Sequence, residues 1–212
     1  MKKILLTVFI ILSFATQIFA HQLWLERSGE TLKAYFGHFP NFKEKESGKR
    51  LKAIKGLKLN PQSTYVSTKR KSDHIEITVN TQKDIALIEK MSPRKGKFVD
   101  FTVQTIFLAR EGRKENKDLL YLDIVPESPN SNTFFLKLNK EVLPKMSLSV
   151  VAPNGWSKKF KSDKFGKVTI ETPWQGDYVA SLKYTDKTPG KADGKDFEQT
   201  NYVMSLHFNV NE

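Results

Sequence analysis

Two histidines near the amino-terminal end of the chain, His21 and His38, have residue types and positions that suit a metal ion. His21 directly follows Ala20, a small residue that ends an apolar run and is typical of a signal-peptide cleavage site. Cleavage there would free the α-amine of His21, which can chelate one ion together with its own imidazole. A second imidazole would complete the three-nitrogen arrangement called a histidine brace, whose ligands suit copper, nickel and zinc.

The predicted position of His38 makes it the candidate for that second imidazole. Residues 22–37 alternate between apolar and polar side chains around a turn dipeptide, Ser28-Gly29, and this pattern predicts a β-hairpin. A two-residue loop at Ser28-Gly29 would place His21 opposite Phe36 and make His38 a diagonal neighbour, roughly 7–8 Å away. We therefore predict His21 and His38 as metal ligands. The alternative is that His21 merely adjoins the cleavage site and His38 fills a turn.

The other residues capable of chemistry favour a protein without catalysis. His74 and His207 each alternate with apolar neighbours on a strand pattern, which indicates surface or structural roles. The chain has no cysteine, and it lacks the local motifs of serine hydrolases, zinc proteases and nucleotide-binding enzymes. We predict that the protein is not an enzyme.

The first twenty residues read as a secretory signal peptide. A basic start, Met1-Lys2-Lys3, precedes an apolar run from Ile4 to Phe19. The leader holds two lysines and no acidic residue, so its removal lowers the net charge from +12 to +10. The remaining basic residues are spread over predicted turns. We expect a periplasmic protein that binds no nucleic acid and has no stable membrane insertion after cleavage.

The mature chain shows much alternation of period two and little helical periodicity, which predicts an all-β fold. Its strand patterns are short and are separated by charged or Gly/Pro turns, as in β-sandwiches. The segment 126–132, rich in Pro, Ser and Asn, is the best candidate for a domain boundary. We predict a signal peptide over 1–20 and two small sandwiches of immunoglobulin-like or prealbumin-like type, over 21–126 and 133–212.

Several segments resemble a bacterial periplasmic family of unknown function, related to nickel-uptake accessory proteins of the NikM and NikK type. The mature start, His21-Gln22-Leu23-Trp24-Leu25-Glu26, has the His-x-x-Trp-Leu-Glu opening of that family. The resemblance continues, in order, at Tyr35-Phe36-Gly37-His38, residues 44–48, Leu51, and residues 123–126, 151–156, 172–178, 184–190 and 194–195. It implies a secreted two-part β protein that accompanies transition-metal uptake, with the first histidine as a ligand.

The leading prediction is a periplasmic accessory protein that binds nickel, cobalt or copper. It would deliver or buffer the ion for a membrane uptake system, and a membrane transporter component would be its partner. The alternative is a non-catalytic adhesion module that binds glycans or the cell envelope. The alternative depends on three tryptophans, Trp24, Trp156 and Trp174. Their rings can stack on sugars, although tryptophans are more often core or interface anchors.

Overall fold

The part of the chain that the structure describes is nearly all β structure, with 55% of its residues in strands and 4% in helices. The computed structural model describes residues 21–55, 58–97 and 99–211, and the predicted signal peptide over 1–20 lies outside them. The all-β sandwich fold predicted from the sequence is confirmed. None of the helices in the described residues is long and apolar enough to cross a membrane.

Three of the sheets build the layers of the fold. The first sheet contains β1 (Gln22–Ser28), β2 (Thr31–His38), β3 (Phe42–Lys43), β5 (Tyr65–Arg70) and β6 (Ile75–Val79). The central sheet contains β4 (Lys58–Asn60), β7 (Ile85–Lys90), β8 (Arg94–Lys95), β9 (Thr102–Glu111), β13 (Ser147–Val151), β14 (Ser157–Lys161), β16 (Gly176–Asp186) and β19 (Gln199–Val210). The third sheet contains β10 (Leu122–Pro126), β11 (Thr133–Leu138), β12 (Glu141–Val142) and β15 (Lys167–Thr169).

The remaining elements are small. A hairpin of β17 (Gly190–Ala192) and β18 (Lys195–Phe197) forms a separate two-stranded sheet. One α-helix, α1 (Lys49–Lys52), buries Leu51, and a single 3-10 turn covers Gln62–Thr64. The helix lies within the charged segment 43–54, for which the sequence predicts either a short helix or an ordered loop.

The central sheet is covered on both faces by large hydrophobic clusters, and the described residues also form a small third cluster of Trp24, Tyr35 and Val179. Side chains of the first sheet, such as Leu25 and Ile77, pack with Leu87 and Phe107 from one face of the central sheet. Alternate residues of the central strands, such as Leu108, point to the opposite face and pack against the third sheet. This follows from the period of a strand, whose successive side chains point to opposite faces.

The two sandwiches therefore share one sheet rather than following each other along the chain. Residues 127–132 connect β10 to β11, which pair antiparallel with Pro126 opposite Phe134. In the central sheet β19 runs parallel to β9, with Gln199 opposite Val103. Strands from both sides of the predicted boundary thus contribute to one sheet. The division into sandwich domains over 21–126 and 133–212 stays a prediction.

Candidate metal site

In the hairpin that carries His21 and His38, each residue of β1 pairs with a β2 residue two positions further along the chain than predicted. The turn of the hairpin is Gly29-Glu30, with Ser28 opposite Thr31 and Gln22 opposite Gly37. Gly29 has a φ of 60°, a conformation that glycine adopts without steric cost. The prediction of a Ser28-Gly29 loop, with His21 opposite Phe36, was wrong. Phe36 instead faces Leu23, and the register continued one residue beyond the Gln22–Gly37 pair sets His21 directly opposite His38.

In the observed register, His21 and His38 are closer together than the diagonal neighbours that the sequence predicts. The centroids of the His21 and His38 rings are 4.5 Å apart, and the ring planes are inclined by 54°. Because side chains alternate along a strand, His38 lies on the same face of β2 as Ala34 and Phe36, which point into the core. The histidine pair therefore caps one end of the hydrophobic core, beside the Phe36 ring at 5.4 Å from His21.

A sharp reversal after His38 brings further side chains to this pair. β3 pairs back onto the end of β2, with His38 opposite Phe42 and Gly37 opposite Lys43. The backbone crosses so close to Gly37 that a Cβ atom there would lie 2.1 Å from the carbonyl oxygen of Phe42. Glycine is therefore required at position 37. The Phe42 ring lies 5.6 Å from His38, and the following residues reach His21.

Glu44 and Arg50 contact the His21 imidazole. Nε2 of His21 is 2.6 Å from Oε1 of Glu44 and 2.7 Å from Nη1 of Arg50, and the two partners are 3.0 Å from each other. A carboxylate only accepts and a guanidinium only donates, so Nε2 cannot satisfy both contacts in one tautomer. The shorter contact, to the mostly buried Glu44, assigns the proton to Nε2. The Arg50 side chain is 62% exposed, and its guanidinium keeps a hydrogen bond to Oε1 of Glu44.

This assignment leaves Nδ1 of His21 with its lone pair. Nδ1 is the nitrogen that, with the α-amine, forms the chelate of an amino-terminal histidine. A carboxylate on the opposite ring nitrogen is the usual partner that fixes the tautomer of a metal-binding histidine. Burial, with help from Arg50 and His38, lowers the pKa of His21 below its usual value of 6.5, against the opposing effect of Glu44. The imidazole is therefore neutral at neutral pH, as a metal ligand must be.

His38 presents a buried nitrogen that lacks a partner. Its Nε2 is buried and makes no hydrogen bond within the described part of the chain. A buried polar atom without a partner is costly, and an ion bound between the two imidazoles would satisfy this nitrogen. Two imidazoles whose rings are in contact can share one ion, since a metal–nitrogen bond is about 2.0–2.1 Å long. The side chains present therefore fit part of a nitrogen-rich metal site.

Side chains alone do not complete the site. Residues 21–55, 58–97 and 99–211 contain no group of three or more His, Cys, Asp or Glu side chains arranged to hold an ion. A site on His21 and His38 thus requires another ligand. The α-amine that cleavage after Ala20 would create is adjacent to the His21 ring and is the nearest source of a third nitrogen.

The remaining histidines lie elsewhere. His74 is partly buried, with Nδ1 2.7 Å from Oδ1 of Asp73 and its ring 5.2 Å from that of Tyr35. His207 is more buried than a solvated strand residue, with 4% of its surface exposed, and its Nε2 lies 3.4 Å from Oδ1 of Asp177. Neither approaches the pair formed by His21 and His38.

Sequence reasoning missed the two charged neighbours of His21. Glu44 and Arg50 belong to a run of charged residues that reads as solvated surface, and their distances from His21 along the chain are 23 and 29 residues. The available signal was the short segment Phe39-Pro40-Asn41 after His38, which predicts a turn and a return of the chain toward the hairpin. It indicates the direction of the chain but not which side chains face His21.

Comparisons with known proteins add little to this picture. No protein-family model matches the chain, and no curated protein matches it. One solved structure with some likeness is the Bacteroides ovatus mixed-linkage glucan utilization locus (MLGUL) SGBP-B in complex with mixed-linkage heptasaccharide, at 11% identity and a TM-score of 0.20. The match covers 86% of this chain and 45% of that one, so the chain spans less than half of its length. A TM-score this low supports no conclusion about fold or ligand.

Proposed function

We propose that the mature protein binds a divalent transition-metal ion, nickel, cobalt or copper, through His21 and His38. The observation that carries the proposal is the pair of imidazole rings 4.5 Å apart, one of them with a buried nitrogen that lacks a partner. His21 would contribute its amine and Nδ1, and His38 a second imidazole. Glu44 would hold the His21 ring in the binding tautomer.

The biological role that fits this site is an accessory one. A signal peptide would take the chain to the periplasm, where its site would buffer or deliver the ion for a membrane uptake system. The sequence resemblance to nickel-uptake accessory proteins supports this role. Glycan binding, the other function that the sequence suggests, would use Trp156 and Trp174 on different loops.

The test is calorimetry with Ni²⁺, Co²⁺, Cu²⁺ and Zn²⁺ on a chain that begins at His21. We expect one of these ions to bind, and His21→Ala and His38→Ala each to weaken its binding by more than about tenfold. Glu44→Gln, which removes the contact that orients the ring, should cost about 10- to 100-fold. His74→Ala serves as the matched control because His74 directly precedes β6 of the same sheet and contacts Asp73 and Tyr35 instead.

A second pair of chains tests the contribution of the His21 α-amine to metal binding. A chain that retains Ala20 differs by one residue and moves the α-amine away from the chelating position. It should bind the same ion more weakly, while its thermal unfolding is unchanged. Equal binding by both chains would remove the amine from the site. No binding of the four ions by the chain starting at His21 would overturn the proposal, and mass spectrometry of the exported protein checks the cleavage position.

A further inference from the structure

Two of the three tryptophans form an exposed pair on the surface. The rings of Trp156 and Trp174 are 5.3 Å apart and inclined by 61°. They are 37% and 38% exposed, whereas Trp24 is fully buried in the core. Large apolar side chains gain little by remaining in water, so two adjacent indoles at the surface are a sign of ligand binding.

The loops that carry this pair are held in place before any ligand arrives. Tyr178 is buried, and its hydroxyl accepts a hydrogen bond from the backbone N–H of Trp174 at 2.9 Å and donates one to the Trp174 carbonyl at 2.8 Å. On the other loop, the backbone N–H of Trp156 donates to Oδ1 of Asn154 at 3.0 Å. Gly155 completes this turn with a φ of 82°. A platform fixed in this way loses little conformational entropy on binding.

Two charged side chains near the tryptophans along the chain pair with each other. Nζ of Lys158 lies 2.6 Å from Oε2 of Glu171, and both side chains are partly exposed. Lys158 is two residues after Trp156, and Glu171 is three before Trp174. The segments that carry the two tryptophans therefore also carry a hydrogen-bond donor and an acceptor. Because the two charges offset each other, the ion pair favours a neutral ligand with hydroxyl groups over an acidic one.

We propose that Trp156 and Trp174 form a binding platform for a neutral polysaccharide of hexopyranose units. The C–H faces of pyranose rings stack on indoles, and their hydroxyls would bond to Lys158 and Glu171. The inclination between the two indoles suits a soluble chain that twists between successive sugars, rather than the flat surface of a crystalline polymer. This platform shares no residue with the histidine pair, so its test is independent of metal binding.

The test is native affinity electrophoresis through gels that contain a soluble β-glucan, a galactomannan or a xyloglucan, with polygalacturonate as the acidic comparison. We expect at least one neutral polysaccharide to retard the protein. Trp156→Ala and Trp174→Ala should each weaken binding at least about tenfold, since each variant removes one of the two stacking surfaces. Phe165→Ala is the control, because Phe165 is 61% exposed on a neighbouring turn.

Tyr178→Phe provides a second variant that keeps the buried ring. It removes only the hydroxyl that fixes the Trp174 loop, so it should weaken binding while circular dichroism stays that of the folded protein. Retardation by polygalacturonate alone would indicate charge-driven binding and overturn the proposal. The proposal would also fail if no polysaccharide in the panel retarded the protein, or if the double variant W156A/W174A were retarded as strongly as the parent.

Discussion

At the scale of single residues, Arg50 has the most direct influence on the proposed metal site. Its Nη1 lies 2.7 Å from Nε2 of His21 and 3.0 Å from Oε1 of Glu44. The guanidinium therefore places a positive charge beside the nitrogen ligands that a cation would use. Solvent screens this charge, because the side chain is 62% exposed.

We expect Arg50→Gln to raise the metal affinity of the chain beginning at His21 by up to about tenfold, which corresponds to about 1.4 kcal/mol. The reason is the loss of repulsion between the guanidinium and the bound ion. Calorimetry measures the change. Lys52→Gln removes the same charge from the same short helix without a contact to His21, so it should change the affinity little. Weaker binding by the Arg50 variant would show that Arg50 serves to position Glu44.

At the scale of secondary-structure elements, the short strand β3 assembles the site around a hairpin that β1 and β2 already form. Its crossing at Gly37 places Phe42 beside His38 and leads the chain to Glu44, whose backbone N–H donates to the Phe36 carbonyl at 2.7 Å. Any side chain at position 37 would meet the backbone of Phe42, which cannot rotate away. The geometry of the site thus depends on one glycine.

We expect Gly37→Ala to separate β3 from β2 and to abolish metal binding, with a clear loss of free energy of unfolding. Gly29→Ala is the matched control in the same hairpin. Gly29 also has a positive φ, but no atom lies within 4 Å of the position its Cβ would take. It should cost only about 1 kcal/mol, the price of a left-handed conformation, and leave binding intact. Urea unfolding and calorimetry measure the two effects. Preserved binding in the Gly37 variant would contradict the role assigned to β3.

At the scale of the whole molecule, a buried ionic cluster ties the central sheet to the third sheet. Arg110 on β9 lies 2.7 Å from Oδ2 of Asp84 and 3.1 Å from Oδ2 of Asp123 on β10, and all three side chains are fully buried. Arg110 also donates to the carbonyls of Glu115 and Lys117. The cluster thus joins the centre of the molecule to the loop before β10.

We expect Arg110→Ala to lower the free energy of unfolding by about 3–5 kcal/mol, because it leaves two carboxylates buried without their cation. Lys95→Ala breaks an ion pair with Asp100 whose side chains are 74% and 90% exposed, and should cost about 1 kcal/mol at most. Urea unfolding of both variants checks the difference. A loss at Arg110 as small as that at Lys95 would mean that the cluster adds nothing to stability.

Much of the strand content follows from the sequence, because alternation is a local property. The alternation over residues 22–37 predicts a hairpin, and β1 and β2 form one in the structure. The closeness of His21 and His38 also follows from the sequence, because a hairpin brings its two ends together in any nearby register. The register itself was mispredicted by two residues. Alternation sets which face a side chain occupies, and a shift of this kind leaves the faces unchanged.

Only the tertiary structure decided which distant segments meet. β9 and β19 pair in parallel with Gln199 opposite Val103, although almost a hundred residues separate them. Their pairing depends on burying both faces of the central sheet, a condition that no local pattern encodes. The same holds for the contacts of Glu44 and Arg50 with His21, and for the exposed pair of Trp156 and Trp174. Local chemistry determined the strands and the candidate ligands, while long-range packing selected their neighbours.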